Sequence, residues 1–299
     1  MNSTLIIFLD GVGIGEANPK INPFFKREFK FLKNIFGETP HLKNQFLRKD
    51  DKYLFPTDAN LGVDGIPQSG TGQTSIFCGI NAPKILGRHF GPFPPPSLDK
   101  IISETNIFHD FLLKDKKVAF ANAYPKIFFD YLRSGKKRIS FTTLSCNLAG
   151  VKLKKSTDLR KGKALSAEID NFRWVKKLNY NLPIIKPQTA AKRLFKIASE
   201  NHFTLFEYFL TDHLGHLRLK DEFEAIVNTL DDFLFFVLKQ LPSNISLIIC
   251  SDHGNFEDLS TKQHTRNPAL TITAGVNSKY FSETVSKISE IKKNILKFY

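Results

Sequence analysis

Three apolar runs of this chain end on aspartates, and histidines stand close to two of them. Residues 4–9 lead into Asp10, residues 203–210 into Thr211-Asp212, and residues 245–250 into Ser251-Asp252-His253. His216 closes the segment Asp212-His-Leu-Gly-His216, and His264 follows His253 by 11 residues across a polar loop. One aspartate at a strand end commonly caps a turn. Three meeting on one sheet edge would repel one another severely unless cations lay between them. Carboxylates and imidazoles together make the mixed oxygen and nitrogen set that suits Mn²⁺ or Zn²⁺, and this inventory is large enough for two such ions. His213 reads as a solvated loop residue, while His41, His89, His109 and His202 have no strand-end acid beside them.

A second polar block, Pro67-Gln-Ser-Gly-Thr-Gly-Gln-Thr-Ser75, runs straight into Ile-Phe-Cys, the pattern of a helix start. Free N–H groups and a favourable potential make such a terminus a place for phosphate. Ser69, Thr71, Thr74 and Ser75 all bring hydroxyls there, and a coordinated metal would lower the pKa of whichever one acts as nucleophile. A hydroxyl not so used has a plain role as cap or phosphate contact.

The elements that must position these groups alternate between strand and helix. Residues 4–9, 203–210 and 245–250 read as strands and 269–274 as a further one; helices are expected over 25–36, 189–200, 222–241 and 283–296. That order predicts an α/β fold with a mostly parallel sheet flanked by helices, and such sheets bind ligands beyond the carboxyl ends of their strands. Gly11, Gly13 and Gly15 lack dinucleotide-binding spacing, and there is no GK[ST] nucleotide loop. The Gly91-Pro-Phe-Pro-Pro-Pro96 run reads as an exit toward an inserted α+β cap over 92–187, with strands at 117–122 and 138–144. The core is then formed by 1–91 and 188–299.

The net charge of +14 is concentrated in this insertion: residues 100–192 hold 20 Lys/Arg against 7 Asp/Glu. The excess suits phosphorylated substrates, nucleic acid or an anionic surface, but no zinc-finger, RNP or basic helix–turn–helix pattern accompanies it. Within it, Arg133, Lys136, Lys137 and Arg138 are candidate substrate contacts. Three cysteines without CxxC spacing argue against a disulfide scaffold and point to a reducing, cytoplasmic setting. No run approaches the roughly 20 apolar residues of a membrane span. Oligomeric state is left open by the sequence.

In this order, Phe8-Leu-Asp-Gly-Val-Gly-Ile-Gly15, Ser69-Gly-Thr-Gly-Gln73, Asp212-His-Leu-Gly-His216, Ser251-Asp-His-Gly-Asn255 and His264-Thr265 resemble the alkaline phosphatase-like metalloenzymes, especially cofactor-independent phosphoglycerate mutase and phosphopentomutase. The resemblance implies one ion held by Asp10, Ser69, Asp252 and His253, and another held by Asp212, His216 and His264. It selects Ser69 as the nucleophile, with Thr71 in reserve. It also suggests Thr71, Gln73, Arg88 and Arg266 as substrate contacts. Gln73 stands where the mutases usually have histidine, and the insertion is nearer in size to the phosphopentomutase cap than to that of the phosphoglycerate mutases. The expected activity is two-metal phosphoester hydrolysis of a small phosphorylated substrate through a phosphoserine. A phosphomutase is the alternative within the family, and a non-catalytic metal-binding protein with a nucleic-acid-binding cap is the alternative outside it.

Overall fold

A computed structural model of the chain describes residues 2–135 and 138–299; Lys136 and Lys137 lie outside the described residues. Among the described residues there are nine strands: β1 (Ser3–Leu9), β2 (Leu47–Lys49), β3 (Lys52–Thr57), β4 (Val118–Phe120), β5 (Ala123–Tyr124), β6 (Lys154–Lys155), β7 (Phe203–Tyr208), β8 (Ile245–Cys250) and β9 (Ala269–Gly275). Seven of them form one sheet in the order β2-β3-β9-β8-β1-β7-β4, and β5 pairs with β6. β8, β1, β7 and β4 run parallel, whereas β9, β3 and β2 extend the sheet antiparallel from β8.

The central strand shows why the sheet is covered on both faces. Leu5, Ile7 and Leu9 of β1 enter one apolar cluster, and Ile6 and Phe8 enter the other, as a period of two requires. The helices Lys30–Phe36, Pro187–Ser199 and Phe223–Lys239 supply the first cluster. The Ser69–Cys78 helix, with Phe108, Phe141, Phe281 and Ile295, supplies the second. Much of the abundant phenylalanine is spent in these two cores. Among the described residues, no helix is long and apolar enough to cross a membrane.

Several expectations change at their edges. The helix expected over 25–36 is broken into Pro23–Lys26 and Lys30–Phe36. The one expected over 283–296 is divided into Ser278–Thr284 and Ile291–Leu296. Residues 138–144, whose alternation suggested a strand, enter the helix Phe141–Leu148 instead, because the Ser140 hydroxyl accepts from Thr143 N and starts a helical turn. The insertion also reaches into the core: β4 pairs with β7, and Asn122 continues the pairing through its side chain, which donates to Glu207 O (2.7 Å) and accepts from Glu207 N (2.8 Å). The expected boundary between 1–91 with 188–299 and 92–187 is therefore bridged by the sheet itself.

One helix is capped from outside its own sequence. Phe29 offers no side-chain cap to Lys30–Phe36, and Asp231 of the Phe223–Lys239 helix accepts from Lys30 N (2.9 Å) and Phe31 N (3.0 Å). Asp231→Ala would strand two amides at a buried helix junction. It should cost about 1–2 kcal/mol, read as a lower urea midpoint with an unchanged slope; an unaltered midpoint would remove Asp231 from this role.

Candidate metal centre

β1 pairs in parallel with both β7 and β8, with Leu9 opposite Tyr208 and Phe8 opposite Cys250. The carboxyl ends of three parallel strands are thereby level, and the residues after them share one edge. Asp10 follows β1, and Asp252 and His253 follow β8. Beyond β7 the short helix Leu210–Gly215 carries Asp212 and delivers His216 at its end. His264 returns on a loop, and Ser69 is the first residue of the Ser69–Cys78 helix. All seven residues named from the sequence meet at this edge.

They form two adjoining clusters. In one, His253 Nε2 lies 3.3 Å from Asp10 Oδ1, 3.5 Å from Asp252 Oδ2 and 3.0 Å from Ser69 Oγ. In the other, Asp212 Oδ1 is 3.3 Å from both His216 Nε2 and His264 Nε2, which are 3.1 Å apart. The His253 and His264 rings stack at 3.7 Å, bringing the clusters side by side. Three ligands about 2.0–2.1 Å from one zinc ion would be separated by roughly 3.3 Å, so the Asp212 triangle has the dimensions of one coordination face.

The outward nitrogens settle which way the imidazoles present themselves. Each Nδ1 meets a main-chain carbonyl, Lys262 O at 2.6 Å for His216, Pro67 O at 2.9 Å for His264 and Gly254 O at 3.3 Å for His253. A carbonyl only accepts, so Nδ1 carries a proton and Nε2 is the nitrogen turned inward. Two such nitrogens facing at 3.1 Å need either a proton or a cation between them. Asp10 Oδ1 is buried without a hydrogen-bond partner. These residues fit divalent cations.

The carboxylates respond to the same crowding. Burial first, then the charges of Asp252, Asp212 and Glu207, pushes the Asp10 carboxyl well above its ordinary range. Burial likewise raises Asp252, against the opposing pull of His253. For Asp212 burial is outweighed by hydrogen bonds from His216 and His264, and its carboxyl is held below the usual range. The contrast follows from neighbours: Asp212 faces imidazoles, while Asp10 faces other acids.

Close approach and buried hydrogen bonds fix these groups. A Cβ at position 72 would lie 2.8 Å from Asp252 Cβ, and only glycine lets the Ser69–Cys78 helix come this near. Asn255 Nδ2 donates to Asp212 Oδ1 (2.7 Å). The buried Glu257 carboxylate accepts from Gly13 N, Asn255 N, Thr265 Oγ1 and Asn267 Nδ2, tying the loop after Asp10 to the loops around His253 and His264. Glu207, buried in β7, accepts from Thr142 Oγ1 (2.7 Å), and burial pushes its carboxyl up to about 7.

Of the four hydroxyls near the helix start, Ser69 is the one beside the ligands. Thr74 and Ser75 donate to Gly70 O and Thr71 O within the helix. Thr71, expected near substrate, is fully buried: its hydroxyl donates to Gln68 O and accepts from Phe90 N. Gln73 is buried against Asp252, with Nε2 3.5 Å from Oδ2. Arg266 donates to Asn60 Oδ1 outside the cleft lining, and Arg88 lies over the Phe90 ring beside a neighbouring pocket. The cleft, about 540 Å³, instead exposes Arg218 and Lys262 beside Ser69, Asp212, His216 and His264. Sequence reasoning passed over Arg218, Lys262, Asn255, Glu207 and Glu257. Proximity to His216 and His264 was the available signal for the two cations, and an acid inside an apolar run was the signal for Glu207.

Residues 179–299 match the model of the Metalloenzyme superfamily. The PH0037 protein from Pyrococcus horikoshii is similar in fold, with 13% identity over 98% of this chain and 91% of that one and a TM-score of 0.53. The sequence likeness thus covers the C-terminal part of the chain, and the likeness to PH0037 is one of fold. The alkaline phosphatase from the Antarctic bacterium TAB5 aligns with 13% identity over 99% of this chain and 97% of its own, with a TM-score of 0.48. No curated protein matches the sequence.

Burial holds the Asp10 carboxyl above the ordinary carboxylate range, so without metal its contribution to stability is greatest when protonated. Stability falls as pH rises from that ordinary value through the raised one. Asp10→Asn removes this loss. Near neutral pH the metal-free variant should melt a few degrees above the metal-free parent and gain less on Mn²⁺ addition. A lower metal-free melting temperature would contradict the crowding argument.

Proposed function

We propose that this chain is a phosphoester hydrolase dependent on two divalent cations, Mn²⁺ or Zn²⁺, with Ser69 as nucleophile. Asp10, Ser69, Asp252 and His253 would hold one ion, and Asp212, His216 and His264 the other. The observation that carries the reading is the placement of a helix-terminal hydroxyl 3.0 Å from His253 Nε2, beside two clusters of inward-facing acids and imidazoles. When bound, the ions would supply Lewis acidity, favouring the serine alkoxide and offsetting charge on the phosphate and leaving oxygens.

The chain's own groups account for the rest. The Ser69 helix fixes the direction from which Oγ approaches phosphorus, and its terminus favours the anionic group. An Oγ–P bond forms as the bond to the leaving oxygen breaks; water then cleaves the phosphoserine and restores the hydroxyl. Exposed Arg218 and Lys262 are placed to draw a phosphorylated substrate toward the cleft. Hydrolysis is favoured over phosphoryl return because the cleft is lined by exposed Arg218 and Lys262, which leaves it open to water. The three cysteines, free and buried, accord with a reducing compartment.

Phosphomonoesters, phosphodiesters and sugar phosphates with Mn²⁺ or Zn²⁺ provide the test, with free phosphate and positional isomers both measured. Ser69→Ala should lower kcat on the order of 10³-fold or more while the protein still binds divalent metal. Turnover unaffected by this change would exclude Ser69 as nucleophile, and isomerisation without phosphate release would replace hydrolase by mutase.

A further inference from the structure

A second cavity, about 810 Å³, adjoins the metal cleft, and Pro92 lines both. Phe90, Phe93, Leu132, Ile139 and Leu144 face it, alongside the prolines that follow Phe93. Among the described residues, its polar side chains are Asp99, Arg138 and Asn147. The volume lies within the roughly 300–1,000 Å³ of sites that enclose an organic ligand and far exceeds the need of a phosphate group.

The wall shared by the two spaces is anchored at the nucleophile. A Cβ on Gly70 would lie 2.5 Å from Phe93 O and 2.7 Å from Phe90 O, so this segment is pressed against the residue after Ser69. Thr71 N donates to Phe90 O (2.9 Å), and Phe90 N donates back to Thr71 Oγ1 (3.1 Å). Pro92 thus lines the cleft that holds Ser69 on one side and an apolar space on the other. A polyol would bring several hydroxyls to a lining with few polar side chains, where each unpartnered hydroxyl is costly; an apolar group would gain by leaving water.

We propose that the substrate is a phosphoester whose organic part is apolar and passes Pro92 into this cavity, while its phosphate lies at the metal cleft. The proposal rests on the phosphoester reading above and narrows it to a substrate class. Apolar contact sets the preference among substrates, and Leu144, half-buried on the Phe141–Leu148 helix, is a specificity-determining residue.

The test is equilibrium binding of methyl-, propyl-, hexyl- and octylphosphonate to the full chain with Mn²⁺, alongside dihydroxypropylphosphonate and octanol. The carbon–phosphorus bond makes the readout independent of turnover. Affinity should rise roughly threefold to fourfold per added methylene, octanol should compete with octylphosphonate, and the dihydroxypropyl compound should bind no better than methylphosphonate. Leu144→Asp should flatten the series, and the milder Leu144→Ala should reduce its slope if the first variant does not fold. Methylphosphonate binding with no chain-length dependence, or a preference for the dihydroxypropyl compound, would overturn the proposal and leave the phosphoester reading standing. A steep series undiminished in the folded Leu144 variant would also overturn it. Octanol binding without any phosphonate binding would overturn both.

Discussion

Carboxylates and imidazoles are forced together where β1, β7 and β8 end, a crowding that protonation or bound cations relieve. Parallel pairing levels the three strand ends, so Asp10, Asp212 and Asp252 cannot avoid one another. Two imidazole nitrogens meet at 3.1 Å while the opposite ring nitrogens face main-chain carbonyls. A fold that merely needed stability would place apolar or hydrogen-bonded groups at this edge. The strain is local, and the apolar clusters on both faces of the sheet hold it in place.

Rigidity around the edge comes from main-chain carbonyls and buried carboxylates. The carbonyls of Lys262, Pro67 and Gly254 set the imidazole tautomers. Glu257 joins segments separated by more than two hundred residues, since its partners include Gly13 as well as Thr265 and Asn267. Its four donors satisfy a charge that would otherwise be expensive to bury. Ligand geometry thus depends on residues that never face the cleft.

The parallel strands were legible because their apolar runs are continuous and end abruptly on polar residues. The ligands were legible for the same reason: Asp10, Asp212 and Asp252 stand where periodicity stops. What escaped was set by tertiary contact. Alternation over 138–144 resembles a strand until Ser140 caps a helix. Asp231 looks like a surface acid on an amphipathic helix, yet it completes the start of another. Thr71 and Gln73 share a motif with Ser69, but one helical turn carries them into the interior. Arg218 and Lys262 carry no periodic signature, and their closeness to the cleft appears only when distant loops are brought together.

The inserted stretch from residue 92 to residue 187 contributes none of the seven ligand candidates. Its strand β4 joins the outer border of the large sheet, touching β7 and no other strand there. Lengthening or exchanging that interval would leave the strand ends level and the ion-holding groups in register. The architecture therefore separates two evolutionary tasks: reactivity is inherited with the frame, while recognition can be rewritten in an interchangeable module.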